Sequence, residues 1–74
     1  MEGFTINIDK FENKTGIITV YNIDGKVMTT RQLAVDAEST QQFDASNYEN
    51  GTYKVYMKLG SQVHSTKFVV GRLY

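Results

Sequence analysis

His64 is the only histidine in the chain, and there is no cysteine. A nucleophilic triad needs a base, a hydroxyl or thiol, and a carboxylate converging on one point. Ser61 and Ser65 lie so close to His64 in a strand-hairpin segment that no such geometry is evident. With one histidine and no thiol, only carboxylates remain as metal donors. Asp9, Asp24, Asp36 and Asp44 are scattered, and no spaced D-x-[DN]-x-[DN]-G loop surrounds Asp24. Asp24-Gly25 therefore reads as a turn. Gly16, Gly25, Gly51, Gly60 and Gly71 are isolated, so no phosphate-cradling loop is expected. A glycosidase-type carboxylate pair would need a deep pocket around it. The tyrosines remain. Tyr53 falls on the apolar face of its strand and reads as core. Lys54, Tyr56 and Lys58 form a stripe on the opposite face, which could serve recognition but reads first as a solvated surface that shields the sheet. Lys67, with Arg72 after it, reads as a guard against edge-to-edge aggregation. No catalytic, metal-binding or cofactor-binding constellation is expected.

The elements that would carry these residues are strands. Seventy-four residues make one domain whose thin core leaves little room for a catalytic pocket. A hydrophobic share of 41% is enough for folding. Eight basic residues balance eight acidic ones, which argues against nucleic-acid binding. No apolar run is long enough for a membrane helix, so no membrane insertion is expected. Turn signals recur about every ten residues, the rhythm of an all-β sandwich. Phe4, Ile6 and Ile8 alternate on one face of the first strand. Residues 9–15 read as a loop, polar except for Phe11, that could add a seventh strand. Ile17–Asn22 is a strand without clean alternation, and Lys26–Leu33 returns antiparallel to it. Ala34–Ser39 is a turn or short loop, and Thr40–Phe43 a weak strand. In the 44–51 connection, Asp44 or Ser46 could cap one helical turn. Tyr53, Val55, Met57 and Leu59 alternate along the clearest strand. Gly60-Ser61 fits a two-residue II′ hairpin leading into Gln62–Val70.

The expected fold is all-β, a small Ig-like antiparallel sandwich of six or seven strands. Its core candidates are Phe4, Ile6, Ile8, Ile18, Val20, Val27, Leu33, Phe43, Tyr48, Tyr53, Val55, Met57, Phe68 and Val70. A thin core with exposed edges also makes a strand-exchanged dimer a candidate state.

Four segments carry a family resemblance. Ile18 to Val27, containing Asp24, Gly25 and Lys26, resembles the Asp/Asn-x-x-Gly-Lys-x-Val hairpin of type IX secretion system C-terminal sorting domains of Bacteroidetes. Phe43 to Val55, containing Ser46, Gly51, Tyr53 and Val55, resembles their segment leading into Gly-x-Tyr-x-Val. Thr66 to Val70 resembles their closing Lys-plus-apolar strand, and Gly3-Phe4-Thr5-Ile6 their opening stretch. The Pro-Asn-Pro element that usually precedes that stretch is missing, and Gly71 to Tyr74 extend past the closing strand.

The resemblance implies a non-catalytic sorting signal at the end of a longer secreted protein, of which residues 1–74 would be a fragment. Such a domain crosses the periplasm with its cargo and directs it through an outer-membrane translocon to the cell surface or the medium. The implied partners are the translocon or its shuttle and a sortase-like surface protease. Lys67, Phe68, Val69 and Val70 are the implied recognition residues, while Gly51 and Tyr53 hold the shape. The rival expectation is an accessory Ig-like or fibronectin-like module that spaces domains or binds carbohydrate or protein. A sorting domain must be C-terminal in its parent chain, whereas a spacer need not be.

Overall fold

The computed structural model describes residues 3–12 and 14–71. Arg72 lies outside them. Six strands follow one another: β1 (Gly3–Asn7), β2 (Gly16–Tyr21), β3 (Val27–Leu33), β4 (Thr40–Asp44), β5 (Gly51–Leu59) and β6 (Gln62–Val70). They form two antiparallel sheets, β1-β4 and β3-β2-β5-β6, packed as a small β-sandwich. Residues sharing a register position share a face of the sheet. Ile18, Val20, Tyr53, Val55, Met57 and Leu59 therefore point inward from the centre of the large sheet, against Ile6 and Phe43 of the small one.

The patterning of each strand follows from its neighbours. β5 is interior, with one face on the core and the other open, and it alternates strictly between buried and exposed side chains. β2 is also interior, and Thr19 on its outer face is buried along with Ile18 and Val20. This is why its sequence shows no clean period of two.

Two connections depend on glycine. Gly60 has φ +62° and Ser61 has negative φ, which matches the expected II′ turn between β5 and β6. The β2–β3 turn differs from a two-residue reversal. The amide of Gly25 donates to the Asn22 carbonyl and that of Asn22 to the Lys26 carbonyl, so the loop has three residues, with Gly25 alone at positive φ (+85°). Asp24 occupies an ordinary turn position, and the Asn22 side chain secures the loop. Asn22 Oδ1 accepts from the amides of both Asp24 and Lys26 at 2.9 Å.

Several expectations about the core need correction. Val27 is exposed, not buried. Val20 pairs with Thr29 but Tyr21 with Val27, so a bulge inserts Met28 into β3 and carries Val27 to the outer face. Phe4 and Phe68 are half-buried at the margin of the core. Leu59, Ala45 and Phe11 are core residues that the list above lacks. Phe11 comes from the loop after β1. That loop forms no strand among its described residues, because turns take up its backbone. The Asp9 amide donates to Asn7 Oδ1, and the Phe11 amide to the Ile8 carbonyl. Residues 44–51 contain no helical turn. The Ser46 amide donates to Asp44 Oδ1 at 2.9 Å, and the Tyr48 amide to the Ala45 carbonyl.

Candidate functional site

β6 is a nine-residue strand at the edge of the large sheet, paired among the described residues on one side only, with β5. Its register sets Val70 opposite Gly51, Val69 opposite Thr52, Phe68 opposite Tyr53, and Lys67 opposite Lys54. The closing-strand residues thus lie against the start of β5, so the second and third family-like segments form one structural unit. Along β6, Phe68 and Val70 point inward and Lys67 and Val69 outward, as period two requires.

The inward side is held by a run of aromatic rings. The Phe68 ring lies 4.3 Å from that of Phe4 and 5.4 Å from that of Tyr53, centroid to centroid. Phe4 stacks on Phe43 at 5.0 Å, and Tyr53 on Tyr48 at 4.9 Å. Such pairs each add about 0.5–1.5 kcal/mol beyond the area they bury. Both tyrosine hydroxyls find partners. Tyr53 donates to the Glu49 carbonyl, and Tyr48 shares a hydrogen bond with Thr29 Oγ1, each at 2.6 Å. Arg31 closes the far end of the run, its guanidinium carbon 4.0 Å from the centre of the Phe43 ring. Its Nη1 also donates to the Gln42 carbonyl and to Gln41 Oε1.

The remaining sequence-derived positions divide into two groups. Gly25, Tyr53 and Lys67 line a single cleft of about 340 Å³, together with Tyr21, Ile23 and Lys54. The β2–β3 hairpin, the start of β5 and the closing strand therefore meet there. Asp24 and Lys26 are in the exposed hairpin loop, Val55 is core, and Ser46 lies in the turn after β4. Ser46 acts through Asp44. Its amide first, and its hydroxyl second, hold the Asp44 carboxyl below its ordinary range. Gly51 has φ +153°, where a side chain would be strained.

His64 is an exposed residue on the inner face of β6, edge-on to Phe11 at 6.1 Å between ring centroids. Ser65 points to the opposite face and Ser61 sits in the hairpin turn. No triad is assembled from these three. Among the described residues, no group of three histidine, aspartate or glutamate side chains could hold a metal ion. No described helix is long and apolar enough to cross a membrane.

Asn22 and Arg31 are structural residues that the sequence reading did not single out. An asparagine opening a turn is a readable signal. Arg31 gives none, because its partners lie on β4, in the other sheet.

A model of the secretion system C-terminal sorting domain family matches residues 2–71. The chain belongs to this family, and the family is that of type IX secretion sorting signals. No curated protein matches the chain, and no solved structure does.

Proposed function

We propose that this domain is the C-terminal part of a longer secreted protein and directs that protein through the type IX outer-membrane translocon. In this reading β6 is the element recognised. A translocon or shuttle component adds a strand to its free edge, and main-chain hydrogen bonds provide the affinity. The cargo would pass through the periplasm to the surface or the medium, and a sortase-like protease would act on it there. Domain-wide membership in the sorting family is the observation that carries the reading. The free edge of β6, with Phe68 and Val70 anchored inward and Lys67 and Val69 outward, supplies its geometry. The role is non-catalytic. A spacer or carbohydrate-binding module has no comparable support.

Deleting Lys67 to Tyr74 would be a poor test, because Val70 is only 1% exposed and Phe68 belongs to the aromatic run, so the deletion would also remove core. Proline at Thr66 and, separately, at Lys67 is a sharper one. Along a strand, successive amides point to opposite sides. One of the two prolines therefore breaks the β5 ladder, while the other removes only an amide facing the free edge. Melting temperature identifies which is which. Each variant is fused behind a signal peptide and a fluorescent protein in a type IX-competent bacterium. The stable proline variant is expected to leave its cargo in the periplasm while the wild-type fusion is exported. Export of that variant at the wild-type level would overturn edge recognition. Retention of the wild-type fusion in a strain that exports a known cargo would overturn the sorting role.

A further inference from the structure

The outer face of the four-stranded sheet is patterned in a way that neither folding nor the free edge of β6 requires. Register places Lys54, Tyr56 and Lys58 of β5 beside Lys67, Ser65 and Val63 of β6. Tyr21 and Thr19 of β2 extend the same rows, and the bulge adds Val27. Lys54 and Lys67 are directly opposite each other, an arrangement that destabilises a sheet. No ion pair relieves either lysine among the described residues. No described acidic residue lies on a strand of this sheet, and the one that borders the face is Asp24 in the β2–β3 hairpin. The face also gathers exposed apolar side chains. Among the described residues, the exposed large hydrophobics are Ile23, Val27, Val35, Tyr56, Val63 and Val69. Four of them lie on this face, and Ile23 overhangs it from the hairpin, lining the cleft with Lys54 and Lys67.

We infer that this face docks an acidic protein surface that also carries apolar side chains. The lysines supply charge complementarity and partner selection. The valines and Tyr56 supply the desolvated patch typical of an interface centre. These valines distinguish the occupant. An acidic glycan would be met by aromatic rings and hydrogen-bonding groups, and nucleic acid by a much larger basic excess. The face is roughly 14 Å across its four strands and roughly 30 Å long along β5 and β6, from strand spacing and rise. That area suits a small, transient interface. The inference stands apart from the recognition of β6 by strand addition, because it concerns side chains on a face and no main-chain edge.

The test is titration of the isotope-labelled domain with a soluble glutamate–tyrosine copolymer, followed by amide shifts. Parallel titrations use polyglutamate, dextran sulfate and phosphatidylglycerol vesicles. Saturable binding of the copolymer is expected, with shifts confined to β5, β6 and the β2–β3 hairpin. Lys54→Glu with Lys67→Glu is expected to weaken it about tenfold or more, equivalent to about 1.4 kcal/mol. Charge reversal at Lys14, in the loop after β1, is expected to leave it within about twofold. Val63→Ser with Val69→Ser is expected to bring the copolymer down to the affinity of polyglutamate. Shifts spread over both sheets, or an equal effect of the Lys14 change, would overturn the proposal. Tighter binding to dextran sulfate or to the vesicles would overturn it in favour of a glycan or a membrane.

Discussion

Gly16→Ala tests the packing of β2 against β5 most directly. A Cβ on Gly16 would stand 1.9 Å from the carbonyl oxygen of Lys58, 2.9 Å from its carbonyl carbon and 3.0 Å from the Leu59 Cα. All three are backbone atoms, so no side chain can swing aside. Relief requires β2 and β5 to separate by about 1 Å at this end, since real Cβ contacts essentially never fall under 3.0 Å. β2 cannot give way freely, because Gly16 is paired with Leu33 on one side and Leu59 on the other. Leu59 is fully buried and would lose contacts in any such movement.

Overpacking of this kind costs about 1–3 kcal/mol, and an unyielding backbone neighbour places Gly16→Ala at the upper end. The stiffer unfolded chain returns only about 0.4–1 kcal/mol. A net loss of about 2 kcal/mol is large against the roughly 4–11 kcal/mol expected of a 74-residue domain. At about 4–8 °C per kcal/mol, the melting temperature should fall by about 8–16 °C. Circular dichroism melts measure this directly. Gly71→Ala is the matched control, because its Cβ would meet nothing within 4 Å and its φ is not positive. It should move the melt by no more than about 0.5 kcal/mol. A Gly16→Ala domain that melts with the wild type would refute the close approach of the two strands.

Three further outcomes follow from individual contacts. Arg31→Met keeps the stem but loses the ring contact and the bonds to Gln41 and Gln42; urea unfolding should show a loss of about 1–2 kcal/mol. Asn22→Ala removes the acceptor for two turn amides and should cost about 1 kcal/mol by thermal melt, with Asn22→Asp recovering most of it. Asp44 has a folded-state pKa below its unfolded value, so its contribution is present above the unfolded pKa and is lost as pH falls through the folded one. Acid melts of the wild type should therefore steepen in the region at and below an ordinary aspartate pKa, and Asp44→Asn should flatten that part of the profile.

Most of the fold was legible because turn residues and alternation are local signals. β5 and β6 could be drawn from their period and the Gly60-Ser61 pair alone. What escaped depends on partners distant in sequence. A bulge between Val20 and Tyr21 sends Val27 outward, although nothing near Val27 marks it. Phe11 is buried from a polar loop because the open space it fills is built by other strands. Arg31 reads as a surface residue in a strand until β4 brings Phe43 beneath it. The closing strand was legible as a segment, through its resemblance to a family. Its register against Gly51–Lys54 was not, since pairing is set by the whole sheet.

That register bears on how a sorting signal can be both compact and readable. The closing strand divides its side chains by face: Phe68 and Val70 belong to the core, whereas Lys67 and Val69 face solvent. If β6 is recognised as proposed, loss of the last strand removes recognition and part of the core together, and a trapped truncation does not say which failure trapped it. Substitutions confined to Lys67 and Val69, or to one edge-facing amide, separate the two, because each leaves the aromatic run from Phe43 to Tyr48 in place. On the proposed reading, the fold itself displays the signal. A destabilised core, as in Gly16→Ala, should then impair sorting in proportion to the unfolded fraction, whereas an outer-face or edge change should impair it with the melting temperature unchanged.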